Sequence, residues 1–174
     1  MNGNIGYDSK INEGSTFWVE LPLVKKTIKQ IRKTAAEKND GTVKTSISGT
    51  VLYIEDNDSN IDLVEQIMNQ NRPGVTMIFE TNGSNAVLSA TVNKPDLILL
   101  DINLPGIQGD EILSLIMEND LLKNIPVVVV SADATPLKIK SMLKLGARSY
   151  LTKPFNIHQL LKSVDQYLEK QLNF

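Results

Sequence analysis

An α/β fold, a five-stranded parallel sheet doubly wound by helices in (βα)5 order, is predicted for residues 49–174 by three observations. Short apolar runs recur at five places, helical periods separate them, and several runs are apolar throughout rather than alternating. Strands covered by helices on both faces need such continuous runs, whereas a strand with one wet face alternates. A short β-hairpin and a basic helical linker are expected to precede this unit.

In chain order, Ile5 to Ser9, a turn through Asn12-Glu13-Gly14, and Thr16 to Leu21 read as a hairpin with Phe17, Val19 and Leu21 on one face. Two strands do not stand alone, so residues 1–24 are expected to pack on the main unit or to belong to a larger domain. Val24, Ile28, Ile31 and Ala35 then recur at helical spacing among Lys25, Lys26, Lys29, Arg32 and Lys33. Thr42 to Ser48 is rich in Thr and Ser without a period, so residues 25–48 read as a basic helical and flexible linker. A basic helix can also lie on a membrane surface, but this stripe is thin and carries no aromatic residue.

The five strand runs are Val51 to Ile54, Val75 to Phe79, Leu97 to Leu100, Val127 to Val130 and Tyr150 to Leu151. Between them Ile61, Val64 and Ile67 or Met68 mark one helical face, and Ile139, Met142 and Leu143 another. Ile157, Leu160, Leu161, Val164 and Leu168 form the stripe of a closing helix.

Bulk properties narrow the function. With 41% hydrophobic and 22% charged residues the chain resembles an ordinary globular protein. It has no cysteine, which excludes disulfides, thiol nucleophiles and cysteine metal clusters and suits a reducing compartment. No run approaches the roughly 20 apolar residues of a membrane span, and no secretory signal opens the chain, so a cytoplasmic location is expected. Net charge is −2 for residues 1–24, +5 for 25–48 and −5 for 49–174. The acidic main unit is a poor match for nucleic-acid phosphates, so neither nucleic acid nor membrane is expected as a partner.

In an open parallel sheet, ligands bind beyond the carboxyl ends of the strands, so the residues ending each run are the informative ones. The first run ends in Glu55-Asp56, the third in Asp101, the fourth in Ser131 and the fifth in Lys153-Pro154. Three carboxylates gathered on one rim repel unless a cation joins them. Mg²⁺ suits such a place, being hard, oxygen-seeking and content with one or two carboxylates plus waters. Asp56 and Asp101 are its candidate direct ligands, Glu55 acts through water, and Lys153 is placed to pair with phosphoryl oxygens. Asp58 reads as a helix cap, and His158, at the start of the closing helix, as a solvated or partly packed residue.

These residues resemble the response-regulator receiver domains of two-component systems over residues 50–171. The resemblance rests on Glu55-Asp56, Leu97-Ile98-Leu99-Leu100-Asp101, the loop Ile102-Asn103-Leu104-Pro105-Gly106-Ile107-Gln108-Gly109, Ser131-Ala132 and Tyr150-Leu151-Thr152-Lys153-Pro154-Phe155, and on their spacing. It implies that Asp101 is the phosphoacceptor of a His-to-Asp phosphorelay and that the Asn103 backbone carbonyl is a third Mg²⁺ ligand. It further implies that Lys153 and Ser131 assist transfer, and that Ser131 and Tyr150 are switch residues altering the surface of the fourth and fifth helices. Gln108 stands where an acid or Asn is commoner, and Ser131 where Thr is frequent.

Gly3-Asn4-Ile5-Gly6, Ser9 and Gly14-Ser15-Thr16-Phe17-Trp18-Val19-Glu20-Leu21-Pro22 resemble the final strands of a histidine-kinase ATP-binding domain. That resemblance implies the C-terminal receiver of a hybrid histidine kinase, with the tail of the ATP-binding domain at residues 1–24, no ATP binding, and no output domain after Phe174. A donor kinase, possibly encoded in the same polypeptide, and a histidine phosphotransfer protein are the implied partners; the oligomeric state is left open, a homodimer being one possibility. The chain is then not an enzyme, beyond assisting its own phosphorylation and dephosphorylation.

Three other readings compete. A receiver that binds partners without phosphate would not need the whole rim. A haloacid-dehalogenase-like phosphatase, suggested by Asp56-Asn57-Asp58, requires an acidic metal motif after the lysine, where only Asp165 and Glu169 in the closing helix follow. A flavodoxin-like cofactor carrier requires a phosphate-binding loop where Asn57-Asp58-Ser59-Asn60 stands.

Overall fold

The computed structural model describes residues 4–10, 14–20 and 47–169, and the chain divides into two units, residues 1–44 and 45–174. The basic period at residues 24–37 lies outside the described residues. In the first unit β1 (Asn4–Lys10) and β2 (Gly14–Glu20) pair antiparallel with Tyr7 opposite Phe17 and Ile5 opposite Val19. Paired opposites share a face, so these four apolar side chains form one patch, and all four are exposed. The hairpin is as expected: β1 extends the predicted run by one residue at each end, and β2 begins two residues earlier, at Gly14, while Leu21 lies outside the described residues.

In the second unit five strands lie in the order β4-β3-β5-β6-β7, every pair parallel. They are β3 (Gly49–Ile54), β4 (Val75–Glu80), β5 (Leu97–Asp101), β6 (Val127–Ser131) and β7 (Ser149–Thr152). The helices α1 (Asp58–Asn71), α2 (Ala86–Asn93), α3 (Gly109–Glu118), α4 (Pro136–Leu145) and α5 (Ile157–Leu168) supply the crossovers and the closing element. This is the predicted (βα)5 sheet. No described helix is long and apolar enough to cross a membrane.

Strand parity divides the core in two. Val51, Tyr53, Leu97, Leu99, Val128, Val130 and Leu151 pack on one face with Val64, Met68, Leu160 and Val164 of α1 and α5. Leu52, Ile54, Ile98, Leu100, Val127 and Val129 pack on the other with Ala90, Ile112, Ile116 and Met142 of α2, α3 and α4. Both faces are covered, which is why β5 and β6 are buried from end to end. The core also takes in Ile47, so packing begins inside the stretch assigned to the linker.

Local signals set the helix ends. Asn57, rather than Asp58, caps α1, its side chain accepting from the Asn60 amide, while Asp58 sits in the first turn. A side-chain oxygen must precede the first free N–H groups to reach them, and an acid one position on still suits the positive helix end. Thr135 caps α4 ahead of Pro136, and Asn156 with Gln159 forms a capping box on α5. Two residues of the predicted stripes face water: Leu143 is 42% and Ile157 53% exposed. Tyr167, outside the predicted stripe, is buried with Leu160, Val164 and Leu168.

Candidate functional site

The chain leaves β3 for β4 on one side and returns to β5 on the other, so the strand order reverses between β3 and β5. A crevice opens beyond the carboxyl ends of strands at such a point. Parity fixes which end residues meet there. Glu55 follows Tyr53, Asp101 follows Leu99 and Lys153 follows Leu151, each two residues on, so all three emerge on the α1 and α5 side. Ser131 follows Val129 and emerges with Tyr150 on the other side.

Lys153, joined to Pro154 by a cis peptide bond, reaches from the edge strand to the centre. Its ammonium donates to Asp101 Oδ2 at 2.6 Å and to Glu55 Oε2 at 2.5 Å. Glu55 and Asp101 are buried, at 1% and 4% exposure, and Ser131 is fully buried, whereas Asp56 is exposed at the rim. The cation lying between two of the predicted acids is therefore the lysine itself.

The two buried carboxylates differ in how their charge is met. Burial works against the ionised Glu55, but donors on Lys153, Tyr53 and Asn60 outweigh it and hold the carboxyl below its ordinary range. Burial pushes Asp101 up; Lys153 and the Asn103 amide, 2.8 Å from Oδ1, only partly offset it, and the Glu55 charge adds to the rise. Lys153 is desolvated too, yet the two carboxylates raise its pKa above the ordinary value and keep it charged. The Tyr53 hydroxyl, desolvated and beside Glu55, is raised far beyond titration, so it acts only as a donor.

The loop after Asp101 folds tightly back on itself. Gly106 has φ +87°, a left-handed conformation that side chains disfavour. The Gly109 amide donates to the Ile102 carbonyl, and a Cβ at Gly109 would stand 2.3 Å from the Ile102 Cα, so this closure demands glycine. Gln108 occupies the cap position of α3 without making a side-chain cap.

On the far side, Ser131 Oγ accepts from the Asp133 amide at 3.0 Å, and the half-buried Tyr150 donates its hydroxyl to the Asp133 carbonyl at 2.6 Å. His158 is exposed in the first turn of α5, as expected of a solvated residue. Tyr53, Asn60 and Asp133 were not among the predicted site residues. Tyr53 carried a signal: two residues before Glu55 on one strand, a hydroxyl among core residues needs an acceptor.

Among the described residues no three His, Cys, Asp or Glu side chains gather closely enough to hold a metal by themselves. The donors at the rim, Asp56 and Asp101 with nearby backbone carbonyls, are all oxygen. They fit a hard ion such as Mg²⁺, which takes one or two carboxylates and completes its shell with water.

Known proteins are similar to this chain. The family model for the response regulator receiver domain matches residues 51–165. The polar-differentiation response regulator DivK of Brucella anthropi is 31% identical over 119 residues, covering 68% of this chain and 95% of that protein. The phosphorylated cyanobacterial phytochrome response regulator RcpA is 30% identical, with a TM-score of 0.59 over 72% of this chain and 95% of that one. The receiver domain of a Pseudomonas aeruginosa sensor histidine kinase, solved with a magnesium ion coordinated in its active site cleft, is 25% identical, with a TM-score of 0.63 over 70% of this chain and 98% of that one.

Proposed function

The chain belongs to the response regulator receiver domain family, and from that premise we propose that it accepts a phosphoryl group on Asp101 from a phosphohistidine of a kinase. The observation that carries this reading is the pairing of Asp101, buried at the end of the central strand β5, with the Lys153 ammonium. An Asp101 carboxylate oxygen forms the bond to phosphorus as the donor's N–P bond breaks, and the electron pair leaves on the imidazole. Lys153 follows the charge from the carboxylate to a phosphoryl oxygen. Ser131, with its oxygen already accepting, keeps its own proton to donate to another.

Mg²⁺ would be held by Asp56, Asp101 and the Asn103 backbone carbonyl, with Glu55 acting through water. When bound, it neutralises the attacking carboxylate and the equatorial phosphoryl oxygens.

Residues 1–24 fit the tail of a histidine-kinase ATP-binding domain, 25–48 a basic linker and 49–174 the receiver of a hybrid kinase. A histidine phosphotransfer protein is then the onward acceptor, in the cytoplasm. The sensor-kinase receiver among the structural relatives supports this placement.

Acetyl phosphate with Mg²⁺ should add one phosphate to the intact mass, and Asp101→Asn should abolish it. Retention in that variant with loss in Asp56→Asn would instead favour the phosphatase reading.

A further inference from the structure

Phosphoryl transfer to Asp101 gives no reason for a tyrosine at position 53. Its side chain is fully buried among Val51, Val64, Leu99 and their neighbours, where phenylalanine would fill the same space without a polar atom. A buried hydroxyl is costly unless bonded. Here it donates to Glu55 Oε2, the same oxygen that takes the Lys153 ammonium.

Glu55 is also held from its other side. Oε1 accepts from the Asn60 side-chain amide at 3.0 Å and from the Asn57 backbone amide at 3.4 Å. Four donors thus meet the two oxygens of Glu55. Asp101, by contrast, accepts from Lys153 and the Asn103 amide. The terminal torsion of a glutamate is soft, so four donors converging on it fix an orientation that the side chain would not keep by itself.

Taking Asp101 as the phosphoacceptor, we propose that Tyr53 is a positioning residue. Its hydroxyl, with the Asn60 amide, locks Glu55 as the anchor that parks the Lys153 ammonium against Asp101. An ammonium has three protons; two are committed, to Glu55 and Asp101, and the third remains for an incoming phosphoryl oxygen. Loss of the hydroxyl frees Glu55 to turn and leaves the ammonium less confined.

The test uses the full chain as wild type, Tyr53→Phe, Glu55→Gln and the double variant. The Lys153 ammonium resonance, assigned by its loss in Lys153→Arg, is recorded without Mg²⁺, and phosphate uptake from acetyl phosphate is timed with Mg²⁺. In Tyr53→Phe the resonance should shift or broaden, and uptake should slow by about tenfold, the scale of one hydrogen bond to a charged group. The two single losses should not add in the double variant, because both act through one carboxylate. Should Tyr53→Phe fail to fold, Asn60→Ala reports on the same carboxylate from its other oxygen and should move both readouts the same way. An unchanged resonance with an unchanged rate, or fully additive losses, would overturn the proposal. A wild type that takes no phosphate would sink the assignment of Asp101, while the ammonium resonance would still decide the role of Tyr53.

Discussion

Ser131 and Tyr150 grip one residue from its two backbone ends: the Asp133 amide donates to Ser131 Oγ at 3.0 Å, and the Asp133 carbonyl accepts the Tyr150 hydroxyl at 2.6 Å. Asp133 in turn receives the amide of Thr135, the cap of α4. A movement of the Ser131 hydroxyl therefore pulls on the segment that holds Tyr150 and begins α4.

Phosphate on Asp101 is expected to draw Ser131 toward a phosphoryl oxygen and let Tyr150 turn inward. A ligand shifts two states only by its differential contacts with them, so Ser131→Ala should shrink the shift while leaving the phosphate in place. Comparing NMR shifts of the α4 amides with and without beryllofluoride, an acyl-phosphate mimic, checks this. An undiminished response in the variant contradicts the coupling.

Asp56 is exposed at the rim, so replacing it disturbs no buried contact. Asp56→Asn should weaken Mg²⁺ binding by about tenfold or more, given that changes even in groups supporting a metal ligand cost roughly 10- to 100-fold. Calorimetric titration measures the affinity, and a thermal melt should show little change in stability.

Arg72 ends α1 and grips Asp165 of α5 through Nε at 2.7 Å and a second guanidinium nitrogen, with both side chains only about a quarter exposed. This two-point pairing joins the helices that cover one face of the sheet. Allowing for solvent screening, Arg72→Ala should cost roughly 1–2 kcal/mol in urea unfolding, an amount readily resolved from the transition midpoint.

Acid should release the Glu55 anchor. Its folded pKa is depressed below the usual 4.5, so it contributes stability above that value and loses the contribution as pH falls through the folded pKa. Wild type should therefore exceed Glu55→Gln in stability at neutral pH, and the difference should close in acid below 4.5. Asp101, whose pKa is raised, runs the other way in both proteins. Urea midpoints across pH decide it; a difference that persists unchanged into strong acid would contradict the assignment.

Periodicity and the residues ending each run were enough to specify the five parallel strands, the closing helix and the rim of Glu55, Asp56, Asp101, Ser131 and Lys153. Those signals are local: a strand's parity and a run's length can be read from a few neighbours. Capping at Asn57, the outward turn of Leu143 and Ile157, and the grip of Lys153 on Glu55 and Asp101 came only with the packed sheet. The lysine meets carboxylates 98 and 52 positions away, and such a meeting depends on parallel register and strand order, which no local pattern encodes. Asp133 became legible for the same reason, whereas Tyr53 meets Glu55 two positions along its own chain. A hydroxyl or a peptide group acquires its role from the acceptor or donor that folding brings to it.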